Sequence, residues 1–517
     1  MGFSYWNHAR GTIVSDFLWR SMTEKDGMGV ETKKPSFTRR EFLQDALAVA
    51  GATAASSLGG NAATAPAGTK RPNLIFFLGE GQRADALSLM NHPILKTPHH
   101  DRIGAEGARF DNAFCTNALC APARSSLMTG LYSRTNGALS NKKGQIPLPA
   151  DMPMFTDLLH KAGYDVALVG KTHIRNGAEE RYWDYYFGHN AALNDYVNPF
   201  FKEGRNGHIG PEQRFESVWP DDLVTDRALA WLAEDRGDRP FCLLVWWVAP
   251  HEPFFRPRRK FDRFDDGTRI AKPATFDDDL KGWPGKPKAF IDAKNKIGSI
   301  TEHLAAGSLE GLAKNYYAGL EGLDDNVGRF FGYLESKKIL DDTAILHTSD
   351  HGYFLGEWRL FDKRQMHEPS IRVPLLIRYP KRIPKGADSK EMVLDIDIAP
   401  TLLDLAGVET PSSMQGKSVL PLLKVGAQGR KEWFYEYFEW PNPEGVAPHQ
   451  GIRTETHKLI AYTQGDKEHE LYDLKNDPKE TQNLWGRPEH ATVQQDLLAR
   501  MNALSANIPA RTGPDVG

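Results

Sequence analysis

The sequence predicts an α/β protein, with a large, mostly parallel sheet flanked by helices and a smaller C-terminal α+β domain. Three observations carry this. Short apolar runs of strand length alternate with stretches of helical length through most of the chain. Chemically distinctive side chains stand just past several of those runs. From about Arg430 the pattern turns aromatic and alternating, as antiparallel strands require. The expected division is 1–70 as an N-terminal extension, 71–425 as the main α/β domain and 426–517 as the smaller one.

A chain of 517 residues can bury a large core and hold two or three domains. Its net charge of -3 gives no general reason to expect nucleic acid or an anionic membrane as partner. Three cysteines (Cys115, Cys120 and Cys242) cannot build a disulfide framework.

Residues 1–35 are polar and irregular, and those before about Met28 read as an over-early start. Arg39 and Arg40 then precede a weakly apolar run over 46–58, which resembles a twin-arginine export signal with cleavage near 63–67. The run is too short and too rich in Ala, Gly and Ser to be a stable membrane span. The twin-arginine machinery is thus an expected partner, and the mature protein is expected in the periplasm or outside the cell.

Residues 73–78, bounded by Pro72 and Gly79, predict a buried strand. A cap-like Thr97, Pro98 in the first turn and Gly107 at the stop predict a helix, with His99 and His100 exposed on its first turn. Residues 155–162 and 221–234 predict helices, while 165–169 and 241–248 predict strands. From 316 to 334, apolar residues at Tyr317, Leu320, Val327, Phe330, Phe331 and Leu334 have the spacing of a core-facing helix. Residues 343–348 and 373–377 predict further strands. The stretch from 252 to about 300, rich in Pro, Lys, Arg and Asp, reads as a solvated loop region of the kind that also builds substrate pockets. Near the end, 433–440 is aromatic and extended, 458–462 alternates, and 492–504 predicts a closing helix.

At Cys120-Ala121-Pro122-Ala123-Arg124 a loop should turn into a helix. Pro122 suits a first turn, where its missing N–H needs no partner. The free N–H groups there favour an anion, and Arg124, one turn on from Cys120, adds a permanent cation. A lone cysteine is more often a small buried hydrophobe. Its company decides otherwise. Glu80 follows the first strand, Lys171 and His173 the second, His251 the third, and Asp350 and His351 the fourth. In an open α/β sheet, residues at those strand ends converge on one crevice.

Cys120-x-Pro122-x-Arg124, running into Ser125-Ser126-Leu127-Met128-Thr129-Gly130, resembles the signature of the type I sulfatases. The likeness extends from about Pro72 to about Trp485. Gly170-Lys171-Thr172-His173, Pro250-His251-Glu252-Pro253, Ser349-Asp350-His351-Gly352 and Phe361-Asp362-Lys363-Arg364 are similar to further elements of that family. The resemblance implies an alkaline phosphatase-like fold and the hydrolysis of sulfate esters. It implies that a formylglycine-generating enzyme oxidises Cys120 to formylglycine, whose hydrate attacks sulfur. Glu80, Asp350, His351 and the modified Cys120 would then surround a hard divalent cation, Ca²⁺ in preference. Arg124 and Lys171 would hold the nucleophile, and Lys171, His251 and Lys363 would neutralise sulfate. His251 or Lys363 would protonate the leaving alcohol, and His173 would release the product. Segments 362–368, 435–440 and 451–455 look most like the N-acetylglucosamine-6-sulfatase branch, which implies a sulfated carbohydrate substrate.

The chain departs from the family where an Asp is usually followed by Asp or Gln; here Glu80 is followed by Gly81. His351 stands where asparagine is common. Either the metal is lost, or the flanking glycines let Glu80 reach it; the second reading is preferred because the other site residues all remain. Two rival functions share this pattern. One is a phosphonate monoester hydrolase or phosphodiesterase of the same superfamily, the other a non-catalytic relative that binds sulfated glycans.

The leader yields a direct test. Replacing Arg39 and Arg40 together with lysine should hold the protein in the cytoplasm on fractionation; unchanged delivery to the periplasm would refute the reading.

Overall fold

The computed structural model describes residues 70–142, 148–149, 151–174, 178–191, 195–252, 262–264, 267–276, 286–297, 308–465 and 467–511. The export signal lies outside the described residues.

Strand β1 (Asn73–Gly79) is buried along its whole length, as a strand sandwiched between two layers must be. Its alternate side chains reveal both layers. Leu74, Phe76 and Leu78 enter one core with Leu127, Met128, Leu159 and Leu402. Ile75 and Phe77 enter the other with Val224, Trp231, Val327 and Phe330.

The remaining strands of this sheet are β2 (Ala108–Phe114), β3 (Asp165–Lys171), β4 (Tyr185–His189), β5 (Phe200–Arg205), β6 (His208–Arg214), β7 (Phe241–Trp246) and β8 (Thr343–Ser349). A two-stranded ribbon, β9 (Phe354–Leu355) with β10 (Phe361–Asp362), then precedes β11 (Arg372–Val373), β12 (Leu375–Arg378) and β13 (Ala387–Leu394). Among the described residues the large sheet has 11 strands in the order β11-β2-β12-β8-β1-β7-β3-β4-β5-β6, with β13 beside β2. Its centre, β8-β1-β7-β3-β4, is parallel. Its flanks are mixed: β12 runs antiparallel to β8 and β2, β13 runs parallel to β2, and β4-β5-β6 form an antiparallel meander. The sheet is therefore mixed, with a parallel heart.

Helices α1 (Pro98–Ala105), α2 (Cys120–Thr129), α3 (Phe155–Lys161), α4 (Pro220–Leu232), α5 (Leu309–Ser336) and α6 (Ile398–Ala406) cover it. α5 begins earlier than its apolar spacing predicts, because the Ser308 side chain caps it by accepting from the Gly311 N–H. The predicted 373–377 strand is broken at Pro374 into β11 and β12.

Two expectations need correction. His99 and His100 are not simply exposed: α1 packs on α5, and Asp324 accepts the backbone N–H of both. His100 is buried, with Nδ1 2.7 Å from Asp324 Oδ1. The insertion is not solvated throughout either. Lys286 and Phe290 are buried, and the Lys286 ammonium reaches His367, Glu470 and Tyr472.

The smaller sheet is antiparallel: β14 (Glu432–Tyr437), β15 (His449–Thr454), β16 (His457–Tyr462) and β17 (His469–Asp473). Phe434, Ile452, Leu459 and Leu471 on one face pack against Leu497 and Met501 of α7 (Ala491–Ala506). On the other face Trp433, Tyr435 and Ile460 share a core with Phe114, Met366 and Ile371 of the main body. No helix among the described residues is long and apolar enough to cross a membrane, and all three cysteines are buried and free.

Candidate active site

The parallel centre of the sheet brings its carboxyl ends to one edge, and the candidate residues follow. Glu80 leaves β1, Lys171 ends β3, His251 follows β7, and Asp350 and His351 leave β8. Opposite them α2 begins at Cys120 itself, with every residue of the helix buried. The Ala121 N–H at its first turn donates to Asn141 Oδ1 at 3.0 Å.

Ligand atoms of Glu80, Cys120, Asp350 and His351 all lie within 4.8 Å of one another. Cys120 Sγ is 3.1 Å from Glu80 Oε1 and 3.4 Å from His351 Nε2. Arg124 spans the group: Nε donates to Asp350 Oδ2 at 3.0 Å, Nη1 to the Lys171 carbonyl at 2.6 Å, and Nη2 to Glu80 Oε2 at 3.4 Å. The Lys171 ammonium is paired with Glu80. Lys363 Nζ lies 3.1 Å from Asp362 Oδ1 and donates to His251 Nε2 at 3.0 Å. All nine residues singled out in the sequence (Glu80, Cys120, Arg124, Lys171, His173, His251, Asp350, His351 and Lys363) are buried here.

Burial and charge set the protonation states. Burial would push the Cys120 thiol up, yet Lys363, Lys171 and His351 draw it well below the usual thiol range. Cys115 and Cys242, lacking such cations, are pushed up by burial. Burial lowers His173 to about 4, aided by Lys171 and Arg124, so its imidazole is neutral near pH 7. Burial opposes the Lys363 charge, but Asp362 and its neighbours hold that ammonium well above its ordinary value.

The same residues suit a hard cation. His351 Nδ1 is 2.8 Å from the Gly352 carbonyl, which can only accept, so Nδ1 carries a proton and Nε2 is turned toward Cys120 and Asp350. Burial opposes a charge on this ring, but Asp350 and Cys120 hold it above its ordinary value, and loss of the Nε2 proton would free a lone pair for a cation. With the Glu80 and Asp350 carboxylates, this makes a mixed set in which two of the four donors are hard oxygens. Gly81 (φ +67°) donates its N–H to Asp350 Oδ1 at 3.0 Å, and a Cβ there would sit 3.3 Å from the Tyr353 ring and 3.4 Å from that of His351.

Some contributors were not legible in advance. Asp221, at the start of α4, accepts the Val248 N–H at 2.7 Å and the Ala249 N–H at 3.0 Å, and so fixes the turn that presents His251. The Tyr196 hydroxyl donates to the His251 carbonyl at 2.8 Å. Gly170 (φ +120°) lets β3 close on β7 beside Lys171, since a Cβ there would sit 1.9 Å from the Trp246 carbonyl. A first-turn aspartate carries no sign of the distant turn it holds; Gly170, by contrast, stood in a quoted motif.

The chain matches the family profile described as Sulfatase over residues 72–408. It belongs to the sulfatase family. A second profile, N-sulphoglucosamine sulphohydrolase, C-terminal, matches residues 356–507. An N-acetylglucosamine-6-O-sulfatase of Bacteroides thetaiotaomicron is 34% identical over 488 residues, spanning 83% of this chain and 85% of the relative. A solved structure in complex with its substrate, D-glucosamine-2-N,6-O-disulfate, superposes with a TM-score of 0.76 at 30% identity, over 86% of this chain and 100% of the other. A phosphonate monoester hydrolase of Agrobacterium radiobacter gives a TM-score of 0.69 at 23% identity, over 85% of this chain and 96% of the other, a likeness of fold alone. This sulfatase is therefore a sulfuric ester hydrolase with the alkaline phosphatase-like architecture.

Asp221→Ala would strand two buried N–H groups behind His251. It should cost about 1–3 kcal/mol of stability in denaturant unfolding and lower kcat; parental stability and kcat would show that the turn holds itself.

Proposed function

We propose that this sulfatase removes sulfate from a sulfated carbohydrate carrying a glucosamine 6-sulfate-like residue, with formylglycine at position 120 and Ca²⁺ or a similar hard cation. The observation that carries the proposal is the buried cluster: a thiol of lowered pKa at a helix start, within 4.8 Å of two carboxylates and an imidazole. The substrate class is supported by the likeness to an N-acetylglucosamine-6-O-sulfatase and to a solved structure that holds a glucosamine disulfate.

In the working enzyme, Cys120 Sγ stands in for the oxygens of a hydrated aldehyde, made by a formylglycine-generating enzyme. That hydrate would supply a hydroxyl nucleophile; Glu80, Asp350, His351 and position 120 would hold the cation, whose Lewis acidity would favour the ionised hydroxyl. Arg124 fixes the geometry by tying α2 to Asp350 and to the Lys171 carbonyl. Lys171 and Lys363 face the sulfate oxygens as charge redistributes in the transition state. Lys363 and His251, 3.0 Å apart, share a proton that can pass to the departing sugar oxygen. His173, neutral and buried, takes a proton from the group at position 120 as sulfate is expelled. Passage through the twin-arginine machinery, which exports folded proteins, fits a residue that must be modified before folding buries it.

The reading is tested at position 120. Mass spectrometry of protein co-expressed with a formylglycine-generating enzyme should find the aldehyde at Cys120 and unmodified thiols at Cys115 and Cys242. Cys120→Ala should lower kcat by about 10³-fold or more with the unfolding transition retained. Substantial residual turnover would sink the mechanism.

The cation is tested at Glu80. Lys171 and Arg124 already neutralise this carboxylate, and Gly81 supplies none, so the ion should be weakly held. The parent should lose both metal and activity on chelation and regain them with Ca²⁺, while Glu80→Ala should show neither. Full metal content in Glu80→Ala would remove it from the ligand set.

A further inference from the structure

The reacting groups are enclosed: His173 and Lys363 are each 2% exposed, and His251 5%. Whatever else the substrate carries must rest on the rim. On a loop tied to the site, one side chain is conspicuously open. Trp440 is 45% exposed, the only exposed tryptophan among the described residues.

Its neighbours tie it to the site. Glu439, buried, accepts the Asn141 N–H at 2.6 Å, and Asn141 in turn accepts from Ala121, the residue after Cys120. Glu439 also lies 3.8 Å from Arg364 Nη2, and Glu444 3.0 Å from it; Arg364 directly follows Lys363. The loop between is latched by Asn442, whose amide nitrogen donates to the Glu439 and Val446 carbonyls, both at 2.8 Å, while its oxygen accepts from the Val446 N–H at 3.0 Å. The polar side chains Glu439, Asn442 and Glu444 are thus turned inward and engaged. Trp440 is left with an open face on a pre-set loop joined to both the Cys120 and the Lys363 segments.

We infer that Trp440 is a stacking platform for the pyranose attached to the sulfated residue, an additional carbohydrate subsite at the mouth of the cleft. A pyranose presents a face of C–H groups, and a tryptophan offers a large apolar surface whose indole N–H keeps it tolerable in water. A fixed aromatic loses little entropy on binding. The inference rests on the sulfated-carbohydrate reading above.

The experiment compares glucosamine 6-sulfate with a disaccharide bearing the same residue at its non-reducing end. For Trp440→Ala, KM for the disaccharide should rise about tenfold with kcat unchanged, while KM for the monosaccharide stays within about twofold. Trp440→Phe should keep most of the disaccharide affinity. In the Cys120→Ala background, the disaccharide should quench tryptophan fluorescence, and Trp440→Phe should abolish that quench. Equal effects on both sugars, or none on the disaccharide, overturn the platform while leaving the sulfatase reading intact. A parent that hydrolyses neither sugar overturns the carbohydrate reading and this inference with it.

Discussion

The structure depends on burying opposite charges together. Glu80, Asp350, Arg124 and Lys171 are all withdrawn from water, which is costly unless each meets a partner. They do so mutually: Arg124 binds both carboxylates, and Lys171 binds Glu80. Removing one member of such a group typically costs about 3–5 kcal/mol, because the rest stay buried without compensation. The same neutralisation accounts for the chemistry. Cations crowded around Cys120 stabilise its anion, and the monoanionic sulfate group of an ester would find the same field.

This arrangement requires a parallel centre. Only parallel neighbours deliver the ends of β1, β3, β7 and β8 to one edge, where side chains from Glu80 to His351 can meet. Connections between parallel strands must cross a face of the sheet, and α4 and α5 cover one face with the core that Ile75 and Phe77 enter. Asp221 then links that covering layer back to the site, since it sits at the head of α4 and holds the turn before His251.

The C-terminal sheet belongs to the site as much as to the fold. The Tyr435 hydroxyl accepts the Ala118 N–H at 3.1 Å and donates to the Arg364 carbonyl at 2.6 Å, so one side chain of β14 ties the approach to Cys120 to the Lys363 segment. Further along that segment, Glu368 pairs with Arg453 and Lys458, and His367 meets Lys286. The segment that carries Lys363 is thereby tied to the smaller sheet at two places.

The sequence alone determined the alternating architecture and the nine residues of the cluster. Buried parallel strands are continuous apolar runs, and reactive groups stand at their ends whatever the rest of the chain does. Edge strands were less legible: β5 and β6 are polar and partly exposed, and their Asn206–Gly207 turn was their clearest local sign. The antiparallel direction of β12, the burial of His100 and the anchoring of Lys286 were decided only by tertiary packing. So was Asp221 behind His251. Periodicity records whether a residue faces a core, but not which distant backbone or side chain it will meet there.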